Sequence, residues 1–210
     1  MTRLIGYFAR AALASLAAFG AVAPASAHHM EGGRTPATFA EGMLSGLGHP
    51  VIGIDHLAFL VAVGLAVGIG RLSLAVPAVF VAASALGVAV HVAGIGVPGA
   101  ELLVAASVIA IGALIARGAA LAPLAWAGLF AIAGLAHGYA FGESIFGAER
   151  TPLAAYLVGL VVVQSAIAIG IAYAVRARGA DRASLAPRLT GAAIAGIGLA
   201  VLAQQVVPAG

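Results

Sequence analysis

The chain has 210 residues, 63% of them hydrophobic and only 8% charged, with a mean hydropathy of +1.13; a soluble domain carries about 25% charged residues, so these proportions describe an integral membrane protein. The formal net charge is +3, but all ten basic residues are arginines scattered singly or in one short cluster, without a basic face or interleaved aromatics, which argues against a nucleic-acid partner. There is no cysteine, and so no disulfide, thiolate metal site or cysteine nucleophile.

Residues 1–27 read as a cleavable signal peptide. Arg3 and Arg10 supply a basic start, "AALASLAAFGAV" a short apolar run, Pro24 a break, and Ala25, Ser26 and Ala27 a small-residue cleavage site. The competing reading is an uncleaved first helix, against which stands the shortness of the run beside the ~20 residues a span needs. Cleavage after Ala27 exposes His28, His29 and Met30, whose free amine and two imidazoles suit Cu(II) or Ni(II); an unselected chain end is the alternative. Residues 28–48 form an extracytoplasmic N-terminal segment, polar and glycine-bearing from Glu31 to Gly48.

From residue 49 to 210 the chain reads as a bundle of six transmembrane helices. The apolar stretches are 51–69, 72–92, 101–115, 119–141, 152–175 and 189–207, joined by loops too short for a soluble domain. With the mature N-terminus outside, the loops after the first, third and fifth spans are cytoplasmic. They hold Arg71, Arg117, Arg176, Arg178, Arg182 and Arg188, leaving only Arg34 and Arg150 outside, the asymmetry expected of a bacterial inner-membrane protein with both mature termini extracytoplasmic. Gly64 with Gly68, and Gly134 with Gly138 and Gly142, recur at the four-residue spacing that lets helix backbones approach.

Every histidine, and every carboxylate except Asp181, falls on or near the side opposite those arginines. His49, Asp55 and His56 open the first span, His91 ends the second, Glu101 opens the third, His137 lies near the end of the fourth, and Glu143 and Glu149 follow it. Imidazole suits Ni, Cu, Zn and Fe, and carboxylate offsets the ion's charge, so this asymmetry points to capture of a divalent transition metal from outside. Ionisable groups inside a span are expensive and read as functional, which favours Asp55 and His56. His137 has an interhelical hydrogen bond as its rival role, His91 a place among lipid headgroups, and Glu101 and Glu143 simple solvation. Gln164, near mid-membrane in the fifth span, is either an inner step of the path or an interhelical bridge.

On a straight helix His49 and His56 are separated by roughly 10 Å along the axis at about 1.5 Å per residue, and cannot easily share an ion unless the helix start is irregular. Pro50 suits a first helical turn, so His49 is expected at the entrance and Asp55 and His56 deeper, a two-step path.

"HPVIGIDHLAFLVAVG" resembles the His-Pro-x-x-Gly-x-Asp-His signature that opens the first span of the HupE/UreJ family, and "HGYAFGESIFGAERTPLAAYLVGLVVVQ" resembles its second signature. The resemblance covers most of the mature chain and implies a small membrane protein associated with nickel uptake for hydrogenase or urease, or with cobalt transport. Carried over by position, His49, Asp55, His56, His137 and Glu143 match the signatures. Many members have a second histidine four residues after the one matching His137; here that place is Phe141.

The expected function is therefore uptake of Ni(II) or Co(II) as a transported ion, with no permanently bound cofactor. The lipid bilayer is its surroundings, and nickel-enzyme maturation proteins are candidate partners. A non-transporting metal sensor or assembly accessory is the alternative. An intramembrane hydrolase is disfavoured because Ser84, Ser107 and Ser165 lack a nucleophile turn, and no phosphate-binding loop supports ATP hydrolysis.

Overall fold

The structure, a computed structural model, describes residues 34–207. The signal-peptide expectation and His28, His29 and Met30 lie outside the described residues. The described chain is all-helical: α1 (Phe39–Ile52), α2 (Ile54–Ile69), α3 (Val76–Val92), α4 (Ala100–Ala116), α5 (Pro123–Gly142), a 3-10 turn (Glu143–Ile145), α6 (Arg150–Ala177) and α7 (Leu185–Val206).

Three of these, α5 with its 3-10 extension, α6 and α7, are long and apolar enough to cross a membrane. α1 and α2 pass the same test as a pair, bent by 78° at their junction, while α3 and α4 are shorter apolar helices of 17 residues each. The first apolar stretch is thus the second arm of a broken helix pair.

α1 starts at Phe39, twelve residues before the expected span of 51–69, in the stretch read as a polar segment. A reciprocal capping box starts it: Thr38 Oγ1 accepts from Glu41 N at 3.2 Å, and Glu41 Oε2 accepts from Thr38 N at 2.9 Å. Pro50 lies inside α1, near its end, and not in a first turn. It has no N–H to donate into the helical ladder, and α1 stops three residues later at Gly53, whose extended backbone (φ −69, ψ 108) serves as C-cap of α1 and N-cap of α2.

α2 is apolar on nearly every side and buried accordingly, packed against α1, α3, α4, α6 and α7. Around it the helices pair closely: α3 with α5, α4 with α7, and α1 and α2 successively with α6. Small residues make these approaches possible. A Cβ on Gly134 would lie 2.6 Å from the Phe80 carbonyl oxygen, and one on Gly138 would overlap the Ser84 carbonyl, so the expected glycine spacing on α5 is where α3 crosses it. Gly64 and Gly68 likewise receive Ala168 and Val175 of α6.

Two apolar clusters fill the interior. The larger includes Phe59, Val63, Phe80, Val108, Ile111, Trp126 and Phe130; the smaller comprises Val88, Phe141, Ile145, Tyr156 and Leu160. Between Phe80 and Val88 on α3 lies Ser84, and between Leu160 and Ala168 on α6 lies Gln164, both fully buried. A polar layer therefore separates the two clusters.

Candidate metal site

The break at Gly53 creates the site. α1 brings His49 toward it and α2 leaves it with Asp55 and His56 in its first turn. The His49 and His56 ring centroids are 5.9 Å apart, far closer than a straight helix allows. His49 is not at an entrance: it is buried, as are Asp55, His56 and His137, with exposures of 6%, 9%, 3% and 0%. A one-residue hinge replaces the expected two-step spacing with a single group.

α5 supplies the third imidazole. His56 Nδ1 and His137 Nδ1 are 2.9 Å apart, with ring centroids at 5.0 Å. His137 lies five residues, about 7 Å of helix rise, inside the end of α5, so the meeting point is within the bundle rather than on its surface. Phe141 fills the space among all three rings, at 5.3 Å from His49, 4.4 Å from His56 and 6.5 Å from His137. Phe59 closes the other side of His137 at 4.4 Å.

The hydrogen-bond network assigns the tautomers. Ser107 Oγ on α4 donates to the Val104 carbonyl at 2.7 Å, and so accepts from His137 Nε2–H at 3.0 Å. With its proton on Nε2, neutral His137 offers Nδ1 as acceptor, which makes His56 the donor across the 2.9 Å contact. On the other side, Tyr156 donates its hydroxyl proton to the Phe141 carbonyl at 2.8 Å, and Ser144 spends its own on that carbonyl or on the Tyr156 oxygen. Ser144 Oγ then accepts from His49 Nδ1–H at 3.0 Å. His137 thereby presents Nδ1 as the basic nitrogen at its contact with His56.

Asp55 Oδ1 accepts from His56 N at 2.8 Å. Gly53 has no side chain to cap α2, and the carboxylate takes up one of the unsatisfied first-turn donors while sitting at the positive end of the helix dipole. The same charge stands beside the imidazoles.

The remaining candidates are placed apart from this group. Glu143, Glu149 and Glu101 are exposed; the backbone carbonyl of Glu101 accepts from Gln205 Nε2 at 3.4 Å. His91 is half-buried between Tyr139 and Phe146, at 4.5 and 5.7 Å, with its Nδ1 buried and without a hydrogen-bond partner. Gln164 donates to Ser84 Oγ at 3.0 Å, which realises the interhelical bridge, while its Oε1 is buried without a partner. Among the described residues, no three histidine or carboxylate side chains are gathered closely enough to hold an ion as they stand.

Sequence reasoning did not single out Ser144 or Tyr156, and considered Ser107 only as a nucleophile. Nothing in the linear pattern pairs residue 107 with 137 or residue 144 with 49; only the packing of α4 on α5 and the turn after α5 do so.

The model of the family described as HupE / UreJ protein matches residues 16–201. Protein HupE of Rhizobium leguminosarum bv. viciae is similar to this chain, 31% identical over 135 residues that cover 63% of the chain and 71% of that protein. No solved structure matches it. With both signature segments and every described helix inside or overlapping the matched range, the chain belongs to the HupE/UreJ family.

Proposed function

We propose that this protein is a permease that takes up a divalent transition metal, Ni(II) first and Co(II) next, through the His49, Asp55, His56 and His137 cluster. The observation that carries the reading is the 2.9 Å separation of His56 Nδ1 and His137 Nδ1 in a buried setting with Asp55 alongside. Two nitrogens bound at about 2.0–2.1 Å and at a right angle to each other around one ion stand about 2.9 Å apart. Square-planar or octahedral coordination has that angle, and the former is a preference of Ni(II). Binding requires the proton shared between the two Nδ1 atoms to leave that contact, so that both Nδ1 lone pairs face the ion. His49 completes the set by releasing Ser144 and turning past Phe141, and the Asp55 carboxylate offsets part of the desolvated ion's charge.

In this reading α1 and α2 form one broken span, the bilayer irregularity being tolerated because it lines a site inside protein. α3 and α4, at the lower limit of spanning length, bring the number of crossings to six, and the arginine-bearing loops face the cytoplasm. The cluster then opens toward the extracytoplasmic side. Reporter enzymes fused after Gly210 and at Arg178 should lie outside and inside the cytoplasm respectively.

The deciding experiment is uptake of radioactive Ni, Co and Zn into sealed vesicles containing only this protein. Accumulation of Ni or Co above protein-free vesicles is expected. Tight binding without accumulation would replace transport with the sensor or accessory reading.

A further inference from the structure

We infer that the end of the bundle opposite the histidines carries a binding groove for a phosphate-bearing anion. Arg71 from the α2–α3 loop, Arg117 and Gly118 from the α4–α5 loop, Asp181 and Arg182 from the α6–α7 loop, and Arg188 from the first turn of α7 line one groove of about 580 Å³. Four guanidinium groups and one carboxylate leave it a formal charge of +3 (4 − 1).

The convergence is built into the fold. Gly118, in the left-handed region at φ +66, lets the α4–α5 loop sit on the α6–α7 loop; a Cβ there would lie 2.6 Å from the Arg182 carbonyl oxygen. Arg188 Nε ties the same two segments by donating to the Ala116 carbonyl at 2.9 Å. Arg71 closes α2 at φ +53, a conformation uncommon for a residue with a Cβ.

The carboxylate in the groove is engaged elsewhere. Asp181 Oδ1 accepts from Ser184 Oγ and N, both at 2.9 Å, and from Ala183 N at 3.0 Å, bonds that hold its carboxyl below the ordinary range. Among the described residues no carboxylate forms an ion pair with Arg71, Arg117, Arg182 or Arg188. Orientation of the protein in the membrane needs positive charge in these loops, but not its gathering from three loops into one concavity. Guanidinium forks match phosphate oxygens in pairs, and basic pockets at helix ends suit anionic headgroups. The phosphate can come from a lipid headgroup or from a soluble compound.

The full-length protein in detergent is titrated with phosphatidylglycerol and, separately, with pyrophosphate at constant ionic strength, against phosphatidylcholine as the zwitterionic control. Native mass spectrometry reads occupancy and the thermal unfolding midpoint reads stabilisation. Saturable binding of at least one anion is expected, with a raised midpoint; phosphatidylglycerol alone identifies a lipid site, and pyrophosphate alone a soluble ligand. Arg71→Gln with Arg182→Gln should weaken binding roughly 30-fold, while Arg150→Gln at the far end leaves it unchanged. Should the double Gln variant fail to insert, Arg71→Lys with Arg182→Lys keeps the charge and removes the fork, and binding should still fall several-fold. The proposal is overturned if neither anion binds better than phosphatidylcholine, if the substituted pairs bind like wild type, or if Arg150→Gln loses as much.

Discussion

At one end of the bundle three imidazoles and a carboxylate are buried, each engaged by a neighbour, while at the other four arginines stand exposed around an open groove. The difference follows from what each group costs. A polar group inside a membrane protein is expensive unless hydrogen-bonded, so His49 and His137 come with Ser144 and Ser107 as partners. An exposed guanidinium meets water or headgroups and needs no such shell. Disturbing the histidine end should therefore affect metal handling strongly, and disturbing the arginine end should not.

The largest effect is expected from the ligands themselves. His56→Ala, His137→Ala or Asp55→Asn should each reduce uptake at trace metal concentration by about 100-fold or more, since each removes a donor or the compensating charge from a low-dielectric site. Insertion and helicity should persist. Vesicle uptake paired with circular dichroism checks this, and wild-type transport by the His56 variant would remove the cluster from the path.

Next comes external pH. A histidine must be neutral to bind metal, and its ordinary pKa is about 6.5, so protons and metal compete as pH falls from roughly 7 to 5. Affinity should drop with falling pH, by about tenfold per unit for one protonating ligand and more steeply if two or three are required. No histidine lies at the arginine end among the described residues, so internal pH should matter much less. Uptake with one side's pH held fixed measures both halves; an affinity flat in external pH assigns the ion to oxygen ligands.

Ser107→Ala tests the supporting shell. It leaves His137 Nε2–H without its acceptor and frees the ring to change tautomer, and loss of such a partner typically costs 10–100-fold in metal affinity. Ser107→Thr retains the hydroxyl and should restore most of the affinity. Equal losses for Ala and Thr would point to packing of α4 against α5 instead.

How much of this was written in the linear pattern depended on whether a feature was local. The apolar stretches were legible because bilayer length sets their size, and Gly134, Gly138 and Gly142 announced a close crossing because a four-residue repeat lies on one helix face. The break at Gly53 was not. Hydropathy averages over it, and the capping box at Thr38 and Glu41, its one local signal upstream, lies in a stretch whose polarity masks a helix packed through Gly42 and Gly46 on α6. His49, Asp55 and His56 could be picked out as chemically exceptional, but straight-helix geometry separated His49 from His56. Their meeting with His137 and the serines is tertiary, fixed by which helices touch.

The smallest effect is expected at Glu143, and it discriminates between two ways of choosing a ligand. By the signature resemblance Glu143 was expected among the site residues, as was Asp55. Their surroundings differ: Asp55 is 9% exposed in the first turn of α2 and bonds the His56 backbone, whereas Glu143 begins the exposed side of the 3-10 turn whose buried neighbour, Ser144, reaches His49. A carboxylate in water gives an ion only weak, salt-screened attraction, because the same charge that earns several kcal/mol at low dielectric is worth about 1 kcal/mol at 4 Å in bulk water. Glu143→Gln should therefore change uptake by no more than about fivefold, a number that corresponds to that 1 kcal/mol, and the change should vanish at high salt. Measuring Glu143→Gln and Asp55→Asn side by side at low and high ionic strength reads the contrast directly. A salt-independent loss at Glu143 as large as that at Asp55 would mean that the turn after α5 folds inward when metal is bound, bringing the carboxylate onto the ion together with His137.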